Sequence, residues 1–182
     1  RLLLADLLPP EASRVTYLDA DALCLSDPAP LSRLDLQGCI LAAVQDRWVS
    51  GLHVRRVLGK DVSRPLGVPP YFNSGVLEVD VSAWRTNGVW EDLNRLLSEG
   101  RRYAFYDQDP LNVVLANRWF ELAAEWNVLV GPLGAAPSSA SVSALEGPSG
   151  DPGLSEARIV HFVGSSKPWR TSPDSFAGDA AG

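Results

Sequence analysis

Two carboxylates, Asp19 and Asp21, stand one residue apart directly after the apolar, β-branched run Arg14-Val15-Thr16-Tyr17-Leu18. In an extended chain, positions i and i+2 face the same side, about 6.6 Å apart at roughly 3.3 Å per residue. Two like charges that close raise each other's pKa unless a cation neutralises them. Mn²⁺ or Mg²⁺, with their preference for oxygen ligands, would do so and keep open positions for phosphate oxygens. The competing reading is a pair of solvated carboxylates at a strand end.

A second group, His161-Phe162-Val163-Gly164-Ser165-Ser166-Lys167-Pro168-Trp169, sits at the end of another apolar run. An imidazole can complete a carboxylate metal site, Lys167 offers a point charge for phosphate, and Gly164 lets backbone approach a ligand closely. On this reading Lys167 acts on a phosphate and is not a structural ion-pair partner. His53, beside Arg55 and Arg56 in a helical stretch, is read as a satisfied core or surface group. Two more clusters complete the set. Tyr71-Phe72-Asn73-Ser74-Gly75 puts an amide and a hydroxyl at the mouth of a strand, suited to hydrogen-bonding a polyhydroxyl ligand. Tyr106-Asp107-Gln108-Asp109 precedes a helix, with Asp109 read as its N-cap and Pro110 as its first residue.

The elements that must position these groups follow from periodicity and punctuation. An opening helix over Arg1 to Leu8 stops at Pro9-Pro10. Strands are expected at 14–18, 39–44, 75–79, 127–130 and 157–162, and helices at 49–58, 82–99 and 109–117. Val89, Trp90, Leu93, Leu96 and Leu97 recur on one face of the longest helix. The Gly, Pro, Ser and Ala-rich stretch 131–153 reads as a mobile loop, and the small polar residues 171–182 read as a flexible tail. Strands alternating with helices make an α/β domain with a mixed, mostly parallel sheet, in which ligands gather beyond the carboxyl ends of strands.

Composition sets the outer limits. The 182 residues are 46% hydrophobic and 21% charged, enough for one sizeable core and too apolar for a disordered chain. With 22 acidic against 16 basic side chains the net charge is −6, which argues against a nucleic-acid partner. No apolar run approaches the length of a transmembrane helix. Cys24 and Cys39 form no metal-binding spacing and are read as two buried thiols.

Taken in order, Arg1-Leu2-Leu3-Leu4-Ala5-Asp6-Leu7-Leu8-Pro9, the Tyr17–Asp21 run, Phe72-Asn73-Ser74-Gly75, Asp107-Gln108-Asp109 with Pro110-Leu111-Asn112, and His161 to Trp169 resemble glycosyltransferase family 8. That family includes bacterial lipopolysaccharide glucosyl- and galactosyltransferases and the glycogenins. The resemblance implies a GT-A type fold and a metal-dependent, retaining transfer of a hexose from a UDP-sugar to an acceptor hydroxyl. By position it implies Asp19, Asp21 and His161 as ligands of Mn²⁺ or Mg²⁺. It sets Ala20 against the donor ribose, Gly164 and Lys167 on the diphosphate, and Arg1 within reach of the donor. Asn73, Ser74, Asp107 and Gln108 line the sugar pocket, with Asp107 and Gln108 nearest the chemistry. A front-face route is favoured because Gln108 is an amide; double displacement through Asp107 or Asp109 competes with it. A cytoplasmic, bacterial enzyme is implied, with any hold on the inner membrane lying in parts outside this sequence.

The family opens with a strand-helix-strand unit upstream of the matching arginine. Arg1 begins inside a helix without a cap, and the sequence has no methionine. Residues 1–170 are therefore expected to form a partial catalytic domain with an uncovered sheet edge, weak UDP binding and a tendency to self-associate. Two rival classes fit the sequence less well. A haloacid-dehalogenase-type phosphohydrolase also places DxD after a strand, but Leu23 stands where it needs threonine or valine. A non-catalytic scaffold that kept the fold would have no reason to keep all three metal ligands.

Overall fold

The computed structural model describes residues 1–49, 51–58, 70–130, 153–164, 167 and 169. Nearly all of the expected loop at 131–153, and the whole tail at 171–182, lie outside the described residues. Five helices are described: α1 (Leu4–Leu7), α2 (Gly51–Leu58), α3 (Val81–Thr86), α4 (Val89–Ser98) and α5 (Gln108–Val114). The strands are β1 (Arg14–Leu18), β2 (Ala22–Cys24), β3 (Leu41–Gln45), β4 (Phe72–Asp80), β5 (Trp119–Glu121), β6 (Val128–Val130) and β7 (Ile159–Phe162).

The strands form two sheets, one ordered β1-β4-β3-β5 and one ordered β2-β7-β6. The long strand β4 runs antiparallel to both β1 and β3, while β3–β5 and β6–β7 are parallel. The sheets are thus mixed, as the α/β pattern requires. Side-chain alternation on β3 and β4 divides the core. Leu41, Ala43, Leu77 and Val79 face one cluster with Trp84, Leu93 and Leu111 from the helices. Ala42, Val44 and Val76 face a second cluster with Leu31, Leu36, Leu122 and Ile159. With both faces covered, these strands read as continuous apolar runs and not as alternating ones. Glu78 interrupts the second face, fully buried, and its carboxylate accepts from Arg14 Nε at 3.1 Å and Thr16 Oγ1 at 2.6 Å.

Four expectations are corrected. The helix expected over 82–99 is two, broken at Asn87-Gly88, because Gly88 adopts φ +61° where a left-handed turn redirects the chain. The N-cap of α5 is Asp107, whose carboxylate accepts from Gln108 N at 2.9 Å; Asp109 lies inside the helix. Strands β2 and β5 were not read from sequence, since three residues show no periodicity. Cys24 is exposed and Cys39 half-buried, so neither is a buried thiol.

Candidate active site

The two outer motifs meet through strand pairing. Asp19 follows β1 and its N–H donates to Gly75 O on β4 at 2.7 Å. The chain then turns, Ala22 N donating to Asp19 O at 3.0 Å, and enters β2, where Ala22 pairs with His161 of β7. The tight turn, not an extended i, i+2 geometry, brings the carboxylates round to one side. One ligand atom from each of Asp19, Asp21 and His161 lies within 4.8 Å of the others. His161 Nε2 is 3.2 Å from Asp21 Oδ1 and 3.7 Å from Asp19 Oδ2.

His161 is aimed from behind. Its Nδ1 is 3.1 Å from Asn127 Oδ1, and Asn127 Nδ2 in turn donates to Asn73 Oδ1 at 2.9 Å. That second bond fixes the Asn127 amide with its oxygen toward the ring, so Nδ1 carries the proton and the Nε2 lone pair faces the carboxylates. Burial pushes the imidazole below the ordinary histidine range, against the upward pull of Asp21 and Asp19. A neutral imidazole with an oriented lone pair is the form that binds metal. The ring rests on bare backbone: a Cβ at Gly75 would lie 2.1 Å from His161 Cε1.

Charge compensation surrounds the carboxylates. Arg1 Nη2 donates to both oxygens of Asp19 at 2.6 and 2.8 Å, its Nε contacts Asp107 Oδ2 at 2.8 Å, and its Nη1 reaches Ser74 Oγ. Tyr17 OH donates to Asp19 Oδ1 at 2.7 Å. Lys167 Nζ lies 2.5 Å from Asp21 Oδ2 and also contacts Phe162 O. Burial works against ionisation of Asp21, but the Lys167 hydrogen bond and the nearby His161 overcome it and hold its pKa below the usual range. Lys167 thus pairs with Asp21, the partly buried carboxylate drawing the nearest cation. Two carboxylates and one imidazole within mutual reach fit a divalent ion of the Mn²⁺ or Mg²⁺ kind, with Arg1 and Lys167 as the neighbouring positive charges.

A hydrogen-bonded floor continues from His161. Asp46, just past β3, accepts from Trp48 N at 3.0 Å, Val49 N at 3.2 Å, Asn73 Nδ2 at 3.0 Å and Gln108 Nε2 at 3.1 Å. Gln108 Oε1 accepts from Ser74 N at 2.9 Å and Ser74 Oγ at 3.2 Å. Asp21, Asp46, Asn73, Gln108, His161 and Gly164 border one cavity of about 420 Å³, closed on another side by Trp48, Val49 and Phe105. Arg1, Ser74 and Asp107 join the same network, while Ala20 is an exposed turn residue between the two carboxylates. Asp109 stands apart, fully buried against His53 and Tyr71. Sequence reasoning missed Asp46 and Asn127; Asp46 follows an apolar strand, the signal that singled out Asp19 and Asp21, whereas Asn127 precedes β6 and carries no such signal.

The model of glycosyl transferase family 8 matches residues 1–172. The chain belongs to that family. General stress protein A of Bacillus subtilis is 32% identical over 183 residues, covering 94% of this chain and 58% of the relative. Lipopolysaccharide 1,2-glucosyltransferase of Escherichia coli is 30% identical over 174 residues, covering 93% of this chain and 48% of the relative. This family 8 chain thus spans about half the length of the curated relatives it matches. Among solved structures, the galactosyltransferase LgtC in complex with donor and acceptor sugar analogs superposes with a TM-score of 0.67 at 22% identity, covering 94% of this chain and 60% of LgtC. The WbbM bifunctional glycosyltransferase gives 0.68 at 23% identity, covering 94% and 32%. The family 8 chain accordingly has the GT-A type fold.

Proposed function

We propose that the protein to which this family 8 chain belongs transfers a hexose, glucose or galactose, from a UDP-sugar to an acceptor hydroxyl with retention of configuration. The observation that carries the reading is the convergence of Asp19, Asp21 and His161 at the edge of a cavity that Asp21 and His161 border, with Lys167 paired to Asp21. These three residues would hold Mn²⁺ or Mg²⁺. Such an ion supplies charge neutralisation for a departing diphosphate. Lys167, released from Asp21, and the backbone at Gly164 would grip the diphosphate, and Ala20 would meet the ribose. Arg1 steadies Asp19 and Asp107, while Asn73 and Gln108 would present polar groups to the sugar and the fully buried Ser74 would hold Gln108 from behind.

The front-face route is favoured by the state of the carboxylates. Asp46 already accepts four hydrogen bonds, Asp109 is fully buried and held by three donors, and Asp107 caps α5 and pairs with Arg1. None is free to form and release a covalent sugar ester. In the front-face route the bond from the anomeric carbon to the phosphate oxygen breaks and a bond to the acceptor oxygen forms on the same face. The acceptor proton passes to the departing phosphate. Among the described residues no helix is long and apolar enough to cross a membrane. We assign the reaction to the bacterial cytoplasm, in keeping with the two bacterial relatives above.

The test uses full-length protein, a panel of UDP-sugars and Mn²⁺, with UDP release measured in the presence and absence of chelator. Metal-dependent release from UDP-glucose or UDP-galactose is expected. Tight UDP binding with no turnover of any sugar would favour the scaffold reading.

A further inference from the structure

We infer that His53 is a positioning residue which, through Asp109, sets the cavity wall that receives the acceptor. The inference rests on the transferase reading above. Its starting point is the Asp109 carboxylate, fully buried in the first turn of α5. A charge at that depth must be hydrogen-bonded to persist. Its Oδ1 accepts from Tyr71 OH at 2.5 Å and lies 2.8 Å from His53 Nε2, while Oδ2 accepts from Phe105 N at 3.1 Å. Burial and the Asp109 hydrogen bond push Tyr71 far above the ordinary tyrosine range, so it remains a donor.

The three donors belong to three separate segments: α2, the residue before β4, and the loop before α5. Asp109 N also donates to Phe105 O at 3.0 Å, so the loop from Phe105 to Asp109 is closed on itself. The His53 ring meets the Phe105 ring edge-on at 5.1 Å and the Tyr71 ring at 6.1 Å. On α2, Val54 and Val57 pack on Tyr71, and the chain entering α2 is gripped where Asp46 takes Trp48 N and Val49 N. Trp48, Val49 and Phe105 therefore stand on segments fastened by Asp46 on one side and by the His53–Asp109 pair on the other.

These three side chains form one apolar wall of the cavity, which Leu129 and Val163 also border, and Trp48 and Phe105 remain 39% and 44% exposed. Of the rest of the lining, Asp21, His161 and Gly164, with Leu129 on β6 and Val163 after β7, make the proposed metal and diphosphate side, and Asp46, Asn73 and Gln108 make the polar floor proposed for the donor sugar. An aromatic, partly open wall is what remains for a second substrate, and it suits the apolar face of a sugar ring or an aryl group. His53 matters because its side chain bridges α2 to this wall through the Asp109 carboxylate. Removing it leaves Asp109 with Tyr71 and Phe105 N, so the fold should survive.

The experiment compares full-length wild type, His53→Ala and His53→Gln. UDP-sugar hydrolysis by water is measured without acceptor, and transfer is measured to p-nitrophenyl β-glucoside and β-galactoside as acceptor probes. Loss of a hydrogen bond to a charged group predicts a KM for the probe about tenfold higher in His53→Ala. The donor KM and the rate of hydrolysis should stay within about twofold, and His53→Gln should recover most of the loss. Equal shifts in donor and acceptor KM, or no shift in either, would overturn the inference. Hydrogen exchange over residues 53–58 and 103–107 provides a measurement independent of turnover. Faster exchange confined to those segments in His53→Ala is expected, and unchanged exchange would refute the latch even if neither probe is glycosylated. Absence of any UDP-sugar turnover in wild type would instead count against the transferase reading, and the acceptor role would fall with it.

Discussion

Replacing Gly75 by alanine tests the candidate metal centre at a position that contacts no ligand. The added Cβ would stand 2.1 Å from His161 Cε1, 2.5 Å from Nδ1 and 3.0 Å from Nε2, where ordinary contact begins at 3.4 Å. The ring must therefore retreat by more than an ångström or β4 must bend. Neither is easy, since β4 is paired on both sides and the imidazole is 4% exposed and tied to Asn127. Overpacking of this kind costs about 1–3 kcal/mol of stability. Its effect on the metal should be larger, because ligand distances are held to about 0.2 Å. Disturbing only the group behind a metal-bound histidine typically costs about 10–100-fold in affinity. Gly75→Ala moves the ligand itself, so Mn²⁺ affinity should fall at least that far. The assay is titration of full-length protein with Mn²⁺ in the presence of UDP, following free ion by electron paramagnetic resonance, with a thermal melt in parallel. Mn²⁺ affinity close to wild type, with an unchanged melting temperature, would show that the imidazole is not held against the β4 backbone and would refute the site geometry.

Three further outcomes are expected. Asp21→Ala in the full-length protein should cut metal-dependent turnover by about 100-fold or more while the fold persists; unchanged turnover would make the pair a solvated strand end. Acid should weaken the fold through His161. Its folded pKa lies below the ordinary value, so its contribution is complete above about pH 6.5 and is lost as pH falls below that. Asp21, also lowered, adds the same sign below about pH 3.9. Urea midpoints of wild type and His161→Gln from pH 8 to 5 should converge on acidification, and divergence would contradict the sign. Finally, Arg85 donates to the carbonyls of Ala5, Leu8 and Pro9 at 2.7 to 3.2 Å and so pins the α1 segment to α3. Arg85→Ala should lower stability by about 2 kcal/mol, read as a reduced urea midpoint with unchanged slope; a midpoint equal to wild type would show that the segment is held by its leucines alone.

The sequence by itself located most of what can do chemistry. Polar residues at the ends of apolar strands cost free energy unless they have work to do, and that reasoning found Asp19, Asp21, Asn73 and His161 without any coordinates. It also set the α/β class, because apolar runs at 14–18, 39–44 and 75–79, alternating with helical stretches, read as strands, and the structure extends the last to Phe72–Asp80. Local spacing stopped short of Asp107 as the cap of α5 and of the break at Gly88, where one glycine splits an apparent single helix.

The tertiary structure decided which of these groups meet. The three-residue strand β2 has no legible period, yet its pairing with β7 places His161 beside Asp19 and Asp21. Gly75 read only as the first residue of a strand, and the packing shows it as the seat of an imidazole from residue 161. Asp46 and Asn127 passed as ordinary strand-end polar groups. Each is given its role by donors and acceptors from distant parts of the chain: Asn73 and Gln108 for Asp46, Asn73 and His161 for Asn127. Hydrogen bonding and close packing act over a few ångströms in space, whereas the patterns readable along a chain extend only over a few residues.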